Sequence, residues 1–164
     1  LDVIITARET QMDDLINKLE KKYSKIKFEE SDKFYWSPSK EIVYYNSSTK
    51  DIDSSKWALL HEVGHALLQH KGYDQDFILL RMEVLAWEKA KKISKKFSVK
   101  IDEDHIQDCL DTYRDWIYKR SLCPKCSTIS LQNNKDNKYR CFNCSSVWQV
   151  TSSKFCRPYR TLVK

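Results

Sequence analysis

The stretch His61-Glu62-Val63-Gly64-His65 sets two imidazoles four residues apart, with a carboxylate beside the first. On a helix, positions i and i+4 share one face, so both rings can reach a single Zn²⁺. Glu62 then sits next to the metal without binding it, placed to take a proton from a water molecule there. The flanking Trp57-Ala58-Leu59-Leu60 and Ala66-Leu67-Leu68 are apolar and predict a buried helix. Ser54 and Ser55 are its expected N-cap residues and Gly72 its expected stop. Two histidines and a glutamate in so apolar a helix are costly to bury unless something satisfies them. The alternative to a metal site is a core helix whose polar residues are hydrogen-bonded.

A catalytic zinc needs three protein ligands and one open position for water. His70, Asp74, Asp76, Glu83, Glu88 and His105 are the candidates for the third. The metzincin pattern H-E-x-x-H-x-x-G-x-x-H is excluded, because Leu68 stands where its Gly belongs and Lys71 where its last His belongs. His70 is expected at an exposed helix end, against the helix dipole. Residues 76–97 read as a second helix, with Leu79, Glu83, Ala86, Trp87, Ala90 and Ile93 at near-helical spacing. At about 100° per residue Glu83 falls inside that stripe, whereas Glu88 lies about 140° away, among Lys91, Lys92 and Lys95. A carboxylate facing the core needs a partner, and a zinc ion from the facing helix would provide one. A buried ion pair, or a surface position if the phase is misjudged, is the alternative for Glu83. Glu88 reads as a solvated partner of the lysines.

A second constellation is Cys123-Pro124-Lys125-Cys126, fourteen intervening residues, then Cys141-Phe142-Asn143-Cys144. Two CxxC turns can close a tetrahedral Cys₄ site with no position left for water, so this zinc is expected to be structural. Ile129, Leu131, Tyr139, Val147, Trp148 and Val150 suggest the short strands of a zinc ribbon. About forty residues hold too little core to fold alone, and metal binding would supply the missing stabilisation. A thioredoxin-like reading fails because the βαβ context is absent; two disulfides are the alternative. Cys156 is left without a role.

These groups must be positioned by surrounding elements. Met12, Leu15, Ile16, Leu19 and Tyr23 mark a helix over 9–23, and Ile26-Lys27-Phe28 alternates as a short strand. Phe34-Tyr35-Trp36 and Glu41-Ile42-Val43-Tyr44-Tyr45 flank Ser37-Pro38-Ser39-Lys40, a β-hairpin signal. Ile106, Cys109, Leu110, Tyr113, Trp116 and Ile117 form the apolar face of a further helix that opens with Asp102-Glu103-Asp104. Cys109 is expected to be a buried, inert thiol, and His105, beside that face, has no matched ligand spacing. The expected fold is α+β: a minimal zincin-like domain over 1–118, of helices plus a small sheet, then a basic Cys₄ zinc ribbon and tail over 119–164.

His61-Glu62-x-Gly64-His65-Ala66-Leu67 followed by Glu83-x-x-Ala86-Trp87-x-x-Ala90 resembles the ImmA/IrrE-type metallopeptidases over about residues 34–97. The resemblance implies a compact cytoplasmic peptidase whose second-helix glutamate, here Glu83, completes the zinc site as in gluzincins. It also implies substrates among DNA-binding regulatory proteins. The joining of an H-E-x-x-H domain to a C-terminal zinc ribbon is similar to SprT-like proteases. There the third ligand is a downstream His, and this chain has Tyr73 and Asp74 in that region. If the domain resembles other zincins, the Glu41–Tyr45 strand is the expected edge along which an extended peptide pairs.

Charge is distributed unevenly. Residues 119–164 carry ten Lys or Arg and one acidic residue, Asp136, a net of +9, against −3 for the rest of the chain. A basic module interleaved with aromatics fits nucleic-acid phosphates and bases, with Lys125, Lys138, Arg140, Trp148, Arg157 and Arg160 as the candidate contacts. The alternative is a soluble basic surface or a site for an acidic protein. No apolar run is long enough for a membrane span and no signal peptide is legible, which predicts a cytoplasmic protein without a membrane partner.

The composite expectation is a zinc metallopeptidase with one catalytic and one structural Zn²⁺. His61, His65 and Glu83 hold the catalytic ion, Glu62 is the general base, and a protein is the substrate, with DNA or RNA as a partner of the ribbon. The alternative is a nucleic-acid-binding or protein-docking zinc-ribbon protein with an inactive zincin domain.

Overall fold

The computed structural model describes residues 2–133, 137–152 and 157–163, with side chains from residue 11 onward. Cys156, singled out in the sequence, lies outside the described residues. The architecture is α+β, with four helices and two small sheets among the described residues. The chain divides into two compact units: residues 1–71 with 82–103, and residues 72–81 with 104–164. Among the described residues no helix is long and apolar enough to cross a membrane.

In the first unit, α1 (Asp2–Lys22) presents Met12, Leu15, Ile16 and Leu19 to the core at helical spacing, all of them buried. Three short strands follow: β1 (Lys27–Glu30), β2 (Tyr35–Ser37) and β3 (Ile42–Tyr45). The predicted hairpin forms, β2 running antiparallel to β3 with Trp36 opposite Val43. Glu41 belongs to the turn, at φ 58°, rather than to the strand. The expectation that Glu41–Tyr45 is a sheet edge is corrected. β1 pairs in parallel along the other side of β3, giving the order β1-β3-β2 and leaving β2 as an edge. β3 therefore has strands on both sides and faces α2 as well, which is why Val43 and Tyr44 are both buried despite the period-two rule.

α2 (Ile52–Leu67) carries the H-E-x-x-H sequence. Its N-cap is Asp51, whose carboxylate accepts from the Ser54 N–H at 3.2 Å. Ser54 and Ser55, the predicted caps, lie inside the first turn, and the Ser55 hydroxyl donates to the Asp51 carbonyl at 2.6 Å. The helix ends earlier than Gly72 predicts. The left-handed residue is Gln69, φ 54°, which lets the His70 N–H reach the His65 carbonyl at 3.1 Å.

α3 (Asp76–Ser94) begins in the second unit and continues through the first, where Glu83, Ala86, Trp87, Ala90 and Ile93 are buried and Glu88 is exposed. It stops three residues short of the predicted Phe97, where Ser94 turns its hydroxyl onto the Lys91 carbonyl at 3.0 Å.

The second unit joins α4 (Glu103–Ser121) to an antiparallel sheet of β4 (Gln132–Asn133), β5 (Lys138–Arg140), β6 (Val147–Val150) and β7 (Arg160–Leu162), in that order. Its core is Cys123, Tyr139, Cys141, Trp148 and Val150. Ile129 and Leu131, predicted strand residues, are exposed; only Ile129 makes a bridge, to Leu122. A cut at 118/119 would fall inside α4. Arg120 near its end is fully buried and pairs with Asp76 through Nε–Oδ2 at 2.6 Å, which ties the first turn of α3 to this unit. Tyr139 donates its hydroxyl hydrogen bond to the same carboxylate oxygen.

Candidate metal centres

Three donor atoms of the first unit converge. His61 Nε2 lies 3.1 Å from Glu83 Oε2 and 3.0 Å from His65 Nε2, and His65 Nε2 lies 3.6 Å from Glu83 Oε2. All three residues are buried. With Glu83 ionised, protons alone satisfy this triangle poorly. If both Nε2 atoms carry hydrogen, two donors face each other; if only one does, the other turns a lone pair toward a carboxylate. A cation among the three satisfies every contact at once. For metal–ligand bonds of about 2.0–2.1 Å, tetrahedral edges are about 3.3–3.4 Å, and the observed separations bracket that value. His61, His65 and Glu83 thus form a group that could hold a metal ion. Burial opposes ionisation of Glu83, but the neighbouring His61 and His65 together outweigh it and hold the carboxyl well below the usual carboxylate range.

The two helices meet here because Gly64 has no side chain. A Cβ at Gly64 would lie 2.5 Å from the Ala86 carbonyl oxygen. Trp87 packs against the His61 ring in a tilted arrangement, centroids 4.2 Å apart and planes at 32°. His65 is oriented from behind by His70, Nδ1 to Nδ1 at 2.9 Å. His70 is therefore not the exposed helix-end residue that its position suggests. It is half-buried, and burial followed by the nearby His65 pushes its pKa down.

One residue of the edge strand reaches both sides of the centre. The Trp36 backbone N–H donates to Glu62 Oε2 at 2.8 Å, and its indole N–H donates to the His70 carbonyl at 2.9 Å. Glu62 is outside the three-donor group but adjacent to it in sequence, held at one oxygen only among the described contacts. The remaining third-ligand candidates are elsewhere: Glu88 and Asp74 are exposed, Asp76 is engaged by Arg120, and His105 lies 3.6 Å from the Cys109 sulfur. Cys109 is half-buried rather than buried.

In the second unit Cys123, Cys126, Cys141 and Cys144 form a cluster that could hold a metal ion such as zinc. Sulfur separations of 3.5–3.6 Å approach the edge of about 3.8 Å expected for a tetrahedron with Zn–S of about 2.3 Å, and far exceed a disulfide. The two turns are built alike. Ser127 and Ser145, at φ 57° and 59°, donate their N–H to the Cys123 and Cys141 carbonyls. The Lys125 and Cys144 N–H groups point at the first sulfur of each turn, both at 3.4 Å. Hydrogen bonding with Thr128 holds the Cys126 thiol at about 5, while burial pushes Cys123 up to about 11. The repeated C-x-x-C-S-[T/S] that builds both turns is legible in the sequence.

The predicted nucleic-acid contacts divide. Lys125, Arg140, Arg157 and Arg160 are exposed and Lys138 is half-buried. Lys138 and Arg140 share the face of β5 opposite the buried Tyr139. Trp148 is corrected: it is fully buried, stacked on Tyr139, with its N–H on the Arg120 carbonyl at 2.9 Å, and has no face to offer a base. Arg120, counted in the basic charge, is neutralised by Asp76.

No family model, no curated protein and no solved structure matches this chain.

Proposed function

We propose that this chain is a zinc metallopeptidase of ImmA/IrrE-like type that hydrolyses peptide bonds in a DNA-associated or regulatory protein, with the Cys₄ ribbon contacting nucleic acid or the substrate. The observation that carries this reading is the convergence of His61, His65 and Glu83, contacts that a metal cation would satisfy together, with Glu62 next in sequence. His61, His65 and Glu83 would hold the catalytic ion, and the four cysteines a structural one. Zinc held there would acidify water and polarise a carbonyl.

The chain's own groups supply the rest. His70 accepts the Nδ1 proton of His65, which leaves the His65 Nε2 lone pair directed at the metal position. Glu62, anchored at Oε2 by the Trp36 N–H, keeps Oε1 to take the proton from the attacking water and then deliver it to the leaving amine. Trp36 lies on edge strand β2, so an extended peptide aligned along β2 runs beside Glu62. Four thiols 3.5–3.6 Å apart and free of disulfides suit a reducing compartment, and we place this activity in the cytoplasm.

The test is substrate trapping. Glu62→Gln, retaining zinc, should capture a protein that the wild type cleaves. Capture with no cleavage by the wild type would overturn the reading.

A further inference from the structure

The second unit contains a cleft between α4 and residues 157–160, of about 730 Å³. Lys119, Arg157 and Arg160 line it, with Asp115 the one carboxylate in the lining. Arg120, although 4.2 Å over the Trp116 ring, is already paired with Asp76 and adds no charge to this count. Trp116 lines the same cleft at 5% exposure, and among the described residues its indole N–H has no hydrogen-bond partner. A buried donor without an acceptor is uncommon enough to need a reason. The Thr112 hydroxyl, also in the lining, donates inward to the Cys109 carbonyl at 2.7 Å. Arg160 is pinned by Nη1 on the Leu122 carbonyl at 2.8 Å, one of its five donors.

A phosphate fits this set: it is an anion, it accepts hydrogen bonds only, and it would meet three cations and an orphaned N–H. We infer that this cleft takes a backbone phosphate of single-stranded nucleic acid. Tyr159, 63% exposed, lines the separate hollow of Gln149, Thr151 and Thr161 rather than this cleft, so its ring face would serve the base of a neighbouring nucleotide. The cations are all exposed, as a site that tracks a polymer requires, rather than enclosing a small anion. The inference rests on the nucleic-acid half of the proposed function and not on the peptidase half.

The experiment uses the full zinc-loaded chain and fluorescence anisotropy with single-stranded DNA and RNA twenty-mers (about 20 nucleotides, to exceed one site) over a salt series. The combined K119A, R157A and R160A variant should bind at least about tenfold more weakly. Its log affinity against log salt should lose about two from the slope, at about 0.7 per removed cation. Trp116→Phe removes the N–H and keeps the ring; it should weaken binding about tenfold with the slope unchanged. Lys92→Ala, exposed in the first unit, should change neither. Zinc content and circular dichroism check that the variants fold. Wild-type affinity in the triple variant and in Trp116→Phe would overturn the cleft while leaving nucleic-acid binding in place. No binding of either strand at low salt would overturn both, and binding of inorganic phosphate alone would make this a small-anion site instead.

Discussion

The Ala86 carbonyl oxygen lies 2.5 Å from where a Cβ of Gly64 would stand, so α2 and α3 cross with no room for a methyl group. Gly64 immediately precedes His65, and Ala86 sits three residues after Glu83, so this contact also sets the carboxylate against the imidazoles. Gly64→Ala must push backbone against backbone. We expect it to destabilise the first unit by about 1–3 kcal/mol, net of the helix propensity that Ala gains. It should also weaken metal at the His61–His65–Glu83 centre while sparing the Cys₄ cluster. Denaturant unfolding and zinc analysis check both.

Glu83 and Glu88 separate cleanly. Glu83 is buried against both histidines and Glu88 is exposed. The wild type should hold two zinc ions, Glu83→Ala one, and Glu88→Ala two, by metal analysis of purified protein. Loss of an ion on changing Glu88 instead would contradict the three-donor centre.

His70 acts on the metal only through His65. Removing a partner that orients a ligand costs about 10–100-fold in metal affinity. His70→Ala is expected to fall in that range in a chelator competition, with His70→Asn recovering part of it by accepting the same Nδ1 hydrogen. An unchanged affinity would leave His70 a packing residue.

The Asp76–Arg120–Tyr139 cluster anchors the second unit. Asp76→Ala leaves Arg120 charged and fully buried without its carboxylate, which should cost about 3–5 kcal/mol. Burial, and then the hydrogen bond to Asp76, push the Tyr139 hydroxyl well above its ordinary value of 10.0. The folded form stays neutral where the unfolded chain ionises. Its stabilising contribution is therefore full below the unfolded pKa and is lost as pH rises toward the folded one. Tyr139→Phe should show a shallower loss of stability than the wild type between about pH 9 and 12, by urea titration at each pH.

The sequence made the chemistry more legible than the scaffold around it. Glu83 could be placed because helical phase is a local property, and the buried stripe Ala86-Trp87-Ala90-Ile93 carries a long, regular signal. The four cysteines needed only spacing. β1 was harder to read: its residues Lys27-Phe28-Glu29-Glu30 are mostly exposed, and only pairing with β3 makes them a strand. That pairing covers the free side of β3 and leaves β1 and β2 as the edges. Asp76 and Arg120 are 44 residues apart, and no local pattern announces that they meet. Trp148 reads as a contact because an aromatic among basic residues has the same appearance in a core as on a binding surface. His70 was missed for the opposite reason: its backbone lies just past the helix end, while its ring turns back onto His65.

The most direct test of the central claim compares wild-type protein with Glu62→Gln on one protein substrate, each with its zinc content measured. Glu62 is outside the three-donor group, so the variant should retain both zinc ions while peptide hydrolysis falls by at least about a hundredfold, the lower end for a lost general base. Full hydrolysis by a zinc-loaded Glu62→Gln protein would contradict the account.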